Sequence, residues 1–263
     1  MDKIRIKEEE LEVKTRNVDH LGIVSGMVDE IALVETIDAL VGTHEQEVLS
    51  TGQTVKAMIL NGLGFVSAPL YLYSRYFEQL DCELLLGKGI SWQHLNDDKL
   101  GHTLDKLQQV GTSKIFSQVS LKACELMAVS REQKHLDGTS MSVYGEQYQK
   151  GYVGSLSQEE REQAPEAIKV VHGYSRDHRP DLRQFMIELM STSDGDVPLW
   201  FAAQDGNSSE KKAFAKRIKQ YRKQFKEDGL YIVDSALYSQ ATATRSRFEE
   251  LSPDREETTR ITG

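Results

Sequence analysis

From about Leu21 to Leu126, apolar residues recur every three or four positions, the spacing of one face of an α-helix. The segments IALVETIDALV, TGQTVKAMILNGLGFV, PLYLYSRYFEQL and DKLGHTLDKLQQVG each carry this period. SKIFSQVSLKACELMAVS extends it, with Ile115, Phe116, Val119, Leu121 and Leu126 mostly on one side. Asn96 precedes Asp97 and Asp98, acids well placed for the first turn of a helix that starts there. Residues 1–18 are polar and extended in pattern, with alternation in LEVKTRNV. The period therefore predicts a mainly helical domain over residues 1–130.

Near Arg131 the period shortens to two. Residues 134–144 alternate as a strand does, and 145–168, which include SQEEREQAPE, read as a polar exposed loop. Residues 168–174 (IKVVHGY) predict a second strand. Residues 184–192 and 197–204 predict two more, and the Asp-Gly step in the intervening DGD signals a hairpin. In residues 210–226, Phe214, Ile218, Tyr221 and Phe225 form an apolar stripe on a helix, with Asn207 as its expected cap and Glu210 as the return partner. Gly229 follows as a stop, and LYIVD is a returning strand. Strands, one helix and a returning strand predict a mixed sheet with a crossover helix. The fold class expected is α+β (or α/β), with a helical lobe over 1–130, a sheet-bearing core over 131–240 and an irregular tail over 241–263.

A chain of 263 residues, 39% hydrophobic and 28% charged, suits two modest domains with packed cores. No apolar run approaches the ~18 residues that span a bilayer, so no membrane partner is expected. The N-terminal MDKIRIKEEELEVK lacks the apolar stretch of a secretory signal. Cys82 and Cys124 lie in apolar helical contexts without a second ligand nearby, and read as buried thiols of a reducing compartment. The net charge of −9 argues mildly against nucleic acid, but its distribution changes the picture. Residues 210–226 hold eight Lys/Arg and one acid, a local charge of +7 that leaves −16 for the rest of the chain.

Candidate chemistry rests on two aspartates at strand positions, Asp137 in KHLDGTSMSVYG and Asp234 in GLYIVDSALYS. An acid among apolar neighbours is costly unless something pairs with it, and a bound cation is the usual solution. Two strand-borne carboxylates fit Mg2+ or Mn2+ and metal-assisted phosphoryl chemistry. The plainer alternative is that Asp137 opens an Asp-Gly turn and Asp234 caps a helix from Ser235. The basic helix is a solvated amphipathic face, or a surface for phosphates formed by Lys212, Lys216, Lys219, Lys223 and their neighbours. Arg176, His178, Arg179 and Arg183 either meet a DNA backbone or pair with Asp177 and Asp181. His135 and His172 read as core or supporting residues, and Trp92 and Trp200 as core.

Four blocks in order, HLDGTSMSVYGE, VHGYSRDHRPDLRQF, DGDVPLWFAAQDGNSSEKKAF and LYIVDSALYS, closely resemble the bacterial insertion-sequence transposases of the DDE class. They are most similar to the group whose RNase H-like catalytic core carries an inserted β-rich segment. HLGIVSGMVDEIALVETID, STGQTVKAMILNGLGF and LNDDKLGHTLDKL resemble the helical domain that precedes the core in one branch, and the resemblance covers roughly residues 13–240. It implies that Asp137 and Asp234 are the first and second metal-holding, catalytic aspartates of a magnesium-dependent strand cleavage and strand transfer on DNA. It implies DNA partners at element ends and targets, a homodimer in the DNA complex, and a bacterial cytoplasmic location at the nucleoid. The third acid of the family, a glutamate, comes later than the matched blocks. Glu249, Glu250, Glu256 and Glu257 stand in a polar tail without a family motif and are not assigned, so a C-terminally truncated copy is expected. The alternative is an inactive DNA-binding or dimerising fragment that regulates an intact transposase.

Overall fold

The computed structural model describes residues 18–44, 46–65, 67–144, 168–174, 178–208, 210–233 and 261–262. They form a mixed α+β structure of two compact units that divide between Gly111 and Thr112.

The first unit is helical: α1 (Leu21–Glu30), α2 (Leu33–Val41), α3 (Thr51–Leu63), α4 (Tyr73–Phe77), α5 (Cys82–Leu86) and α6 (Asp97–Val110). Local chemistry sets its helix starts. Ser50 and Gln53 form a reciprocal capping box at α3, with the Gln53 N–H donating to Ser50 Oγ at 3.1 Å and the Ser50 N–H to Gln53 Oε1 at 2.9 Å. Asn96 Oδ1 accepts from the Lys99 N–H at 2.8 Å and Asp97 and Asp98 occupy the first turn of α6, as the sequence predicts. Leu21, Leu49, Ala57, Leu60, Phe77, Leu85, Leu95 and Leu100 build one continuous core from α1, α3, α4, α5, α6 and the connecting loops. Cys82 is buried in this core, and the two cysteines are not joined in a disulfide.

The second unit begins with α7 (Thr112–Leu126), continues through β1 (Gln133–Val143), β2 (Arg183–Thr192) and β3 (Pro198–Gln204), crosses over by α8 (Glu210–Phe225), and adds β4 (Leu230–Val233) and β5 (Ile261–Thr262). The strand order is β3-β2-β1-β4-β5. β2 is antiparallel to both β1 and β3, whereas β4 is parallel to β1 and β5 to β4. A mixed sheet with a crossover helix is the arrangement that the sequence predicts. Leu136, Met190, Leu199, Trp200, Ala202, Tyr221 and Tyr231 form its core with Cys124 of α7.

Four details differ from the expectations. The helix over 112–126, read with the helical lobe, belongs to the sheet unit, because the Phe116 ring packs edge-on against Phe201 at 4.9 Å and Cys124 enters the sheet's core. Residues 168–174 make a single bridge, Val171 to Gln184, rather than a strand. The reason is a junction around Gln184, whose Nε2 donates to the Gly206 carbonyl at 2.8 Å and the Tyr174 carbonyl at 3.2 Å. A side chain at Gly206 would stand 2.0 Å from the Gln184 carbonyl oxygen, so only glycine admits this crossing. Asn207, the expected cap, lies in the turn before α8, closed by the Ser208 N–H on the Asp205 carbonyl at 2.9 Å. The tail, expected to be irregular, contributes β5 near its end.

Candidate functional site

β1 is the central strand, and its alternation separates two environments. Lys134, Leu136, Gly138 and Ser140 are buried, while His135, Asp137, Thr139 and Met141 are exposed. The buried positions share a face with Met190 and Trp200, against which Ile218, Tyr221 and Phe225 of α8 pack. On the other face Asp137 lies opposite Leu189, Thr139 opposite Ile187 and Met141 opposite Phe185. Met141 is 45% and Leu189 42% exposed, so this face is an apolar shelf with a carboxylate at its centre.

Asp137 Oδ1 accepts a hydrogen bond of 2.7 Å from the Gly138 N–H. Among the described residues no Lys or Arg pairs with it, which leaves a hard, water-facing oxygen suited to a divalent cation. Beside it His135 Nε2 and Ser193 Oγ lie 2.8 Å apart. β4 runs parallel to β1 in the register Gln133 to Leu230, Lys134 to Tyr231, His135 to Ile232 and Leu136 to Val233. The last pair consists of the residue before Asp137 and the residue that precedes Asp234 in the sequence. Asp234 itself lies outside the described residues, as does Arg176. Among the described residues no group of three His, Cys, Asp or Glu side chains gathers to hold a metal.

The candidate DNA-contacting residues divide by their partners. Arg179 forms a two-pronged pair with Asp181, Nε to Oδ1 at 2.9 Å and Nη2 to Oδ2 at 2.7 Å, and its Nη1 donates to the Tyr144 hydroxyl at 3.2 Å. The Asp181 carboxylate raises the Arg179 pKa and is itself held below the ordinary carboxylate range. Arg183 is half-buried and reaches the Val170 carbonyl at 3.5 Å, whereas His178 is exposed with φ +55°. On α8, Lys219 and Lys223 are exposed, and the side chains of Lys212 and Lys216 lie outside the described set. Two of the helix's other bases are engaged internally: Arg217 with buried Glu188 at 3.0 Å, and Arg222 with Asp228 at 2.7 Å.

Two buried charges of the sheet unit were not singled out from the sequence. Glu188 of β2 pairs with Arg217, and Lys134 of β1 is fully enclosed. Burial pushes the Lys134 pKa down, opposed by the neighbouring Glu227 carboxylate. The signal for Lys134 was its parity: it lies two residues before Leu136 and so shares the core-facing side of a strand.

Residues 13–121 match DUF4277, a domain of unknown function. This family is found in transposase-like proteins. The curated proteins and the solved structures contain no match to the chain. The DUF4277 segment covers the helical unit and part of α7, and leaves out the sheet with Asp137. Between Val18 and Gly111 there are thirteen Asp/Glu against five Lys/Arg, so the cationic surface of the chain lies outside most of the DUF4277 segment.

Proposed function

We propose that the chain is an insertion-sequence transposase that cleaves and joins DNA strands with a divalent cation held by Asp137 and Asp234. The observation that carries this reading is the parallel pairing of β1 with β4. Two strands far apart in the chain become neighbours in a register that ends at Leu136 and Val233, each followed in sequence by an aspartate. The exposed Asp137 carboxylate, without a basic partner among the described residues, fits a hard cation. The mixed sheet with a crossover helix is the arrangement that the RNase H-like resemblance implies, and the DUF4277 match is in keeping with it.

A magnesium ion held by Asp137 and Asp234 would supply Lewis-acid chemistry toward the phosphodiester oxygens. The two carboxylates fix the cation, and Lys219 and Lys223 of α8 attract the DNA backbone to the same unit. His135, hydrogen-bonded to Ser193 beside Asp137, helps to order this edge of the site.

Nicking of a supercoiled plasmid carrying the element ends tests the reading. With Mg2+ the wild-type chain is expected to convert closed circles to nicked ones, and Asp137→Asn and Asp234→Asn to lose that conversion while still retarding the DNA in a gel. A wild type that only retards the DNA, with or without Mg2+, would replace the enzyme by a DNA-binding regulator. Nicking retained by both variants would remove the two aspartates from the chemistry.

A further inference from the structure

Lys134 has 0% exposure, an expensive place for an ammonium group. Its surroundings explain where the group is used. Nζ donates to the Arg131 carbonyl and, at 2.7 Å, to the Asp228 carbonyl. It also lies 3.7 Å from Glu227 Oε2 and 5.5 Å from the centre of the Tyr231 ring. These partners come from two distant segments, the approach to β1 and the turn that delivers the chain from α8 into β4.

Neighbouring contacts tighten the same junction. Arg131 Nε reaches both Glu227 carboxylate oxygens at 3.3 Å, the Tyr231 hydroxyl donates to the Glu227 carbonyl at 3.1 Å, and the Leu230 N–H donates to the Glu132 carbonyl at 2.8 Å. At Gly229, with φ +141°, a Cβ would stand 2.6 Å from the Glu132 carbonyl oxygen and 2.9 Å from Lys134 Nζ. The turn thus passes over the ammonium at a distance only glycine permits.

The strand pair that follows this junction is short. Four residue pairs, from Gln133–Leu230 to Leu136–Val233, set the alignment of β4 on β1. With so few pairs each contact counts, because a slip of one residue would turn every β4 side chain, the buried Tyr231 among them, to the opposite face. We propose that Lys134 is a positioning residue, a register lock that aligns β4 on β1 over the pairs that end at Leu136 and Val233. The consequence for metal binding rests on the reading that Asp137 and Asp234 share a cation.

Lys134→Met keeps the volume but takes the donor away from the Arg131 and Asp228 carbonyls, so a second, milder variant at the same junction accompanies it. Two readouts on the full chain test the lock. In hydrogen exchange followed by mass spectrometry, the peptide covering residues 228–233 is expected to exchange faster in Lys134→Met while peptides from β2 and β3 keep wild-type rates. In titration calorimetry with Mg2+ alone, affinity is expected to fall about tenfold, the cost typical of losing a group that orients a metal ligand. Glu227→Gln, a milder change at the same junction, is expected to move both readouts in the same direction. Phe116→Ala, which loosens the unit at the α7–β3 contact, is expected to lower Tm without changing Mg2+ affinity. Wild-type exchange at 228–233 in both Lys134→Met and Glu227→Gln would overturn the lock. Equal loss of affinity in Phe116→Ala would reduce Lys134 to general stability. A wild type that binds no Mg2+ would instead sink the two-aspartate reading, and the exchange rates would still decide the lock.

Discussion

Glu47 shows how one side chain can secure a unit of short helices. Lys99 and Lys106 stand 2.7 and 3.0 Å from its Oε1, and this ties the loop before α3 to α6. Burial alone would raise the carboxyl's pKa, but the two lysine hydrogen bonds and charges outweigh it and hold the group below its ordinary value of 4.5. The folded chain therefore binds fewer protons at this site than the unfolded chain. The contribution to stability is complete above pH 4.5 and is lost as pH falls through the lowered folded value. Glu47→Gln is expected to cost about 1 kcal/mol at neutral pH, with the difference from wild type shrinking below pH 4.5. Urea denaturation across that range measures it, and a difference that ignores pH would contradict the pairing. At this scale the sequence was partly legible. The start of α6 at Asp97 was placed correctly, because two acids after Asn96 mark a first turn by local chemistry. Lys134 and Glu188 were missed although they alternate in phase with Leu136 and Met190, because the partners that make a buried charge affordable, Glu227 and Arg217, lie far off in the sequence.

Among the elements, α8 separates two kinds of positive charge that look alike in a run of lysines and arginines. Arg217 is spent on Glu188, and that pair fastens the helix to β2 opposite Gly138 of β1. Lys223 is exposed on the outer side. In binding of duplex DNA measured over a range of salt concentrations, Lys223→Ala is expected to flatten the salt dependence by about 0.9 in slope, the effect of one lost phosphate contact. Arg217→Met is expected to leave the slope unchanged. Equal flattening by both would show that Arg217 meets phosphate rather than Glu188. The stripe of Ile218, Tyr221 and Phe225 was legible from its period, since a long amphipathic helix carries its own instructions. The strand read over 168–174 failed for the opposite reason. Its apolar run resembles a strand, but the Gln184 side chain takes up the Tyr174 and Gly206 carbonyls and limits pairing to one bridge.

In the whole molecule, charge and chemistry are segregated. The helical unit is acidic, and the basic helix and the exposed aspartate belong to the sheet unit. The boundary between them was misplaced by sequence reasoning, because the helical period of α7 continues that of α6 and nothing local marks that α7 packs on β3. No described helix is long and apolar enough to cross a membrane. A titration of Mn2+ into the full chain, followed by the electron paramagnetic resonance of the free ion, addresses the shared cation most directly. Depletion of free Mn2+ by a saturable site in the wild type, abolished separately by Asp137→Asn and by Asp234→Asn, is the predicted result. Wild-type depletion in either variant would contradict it.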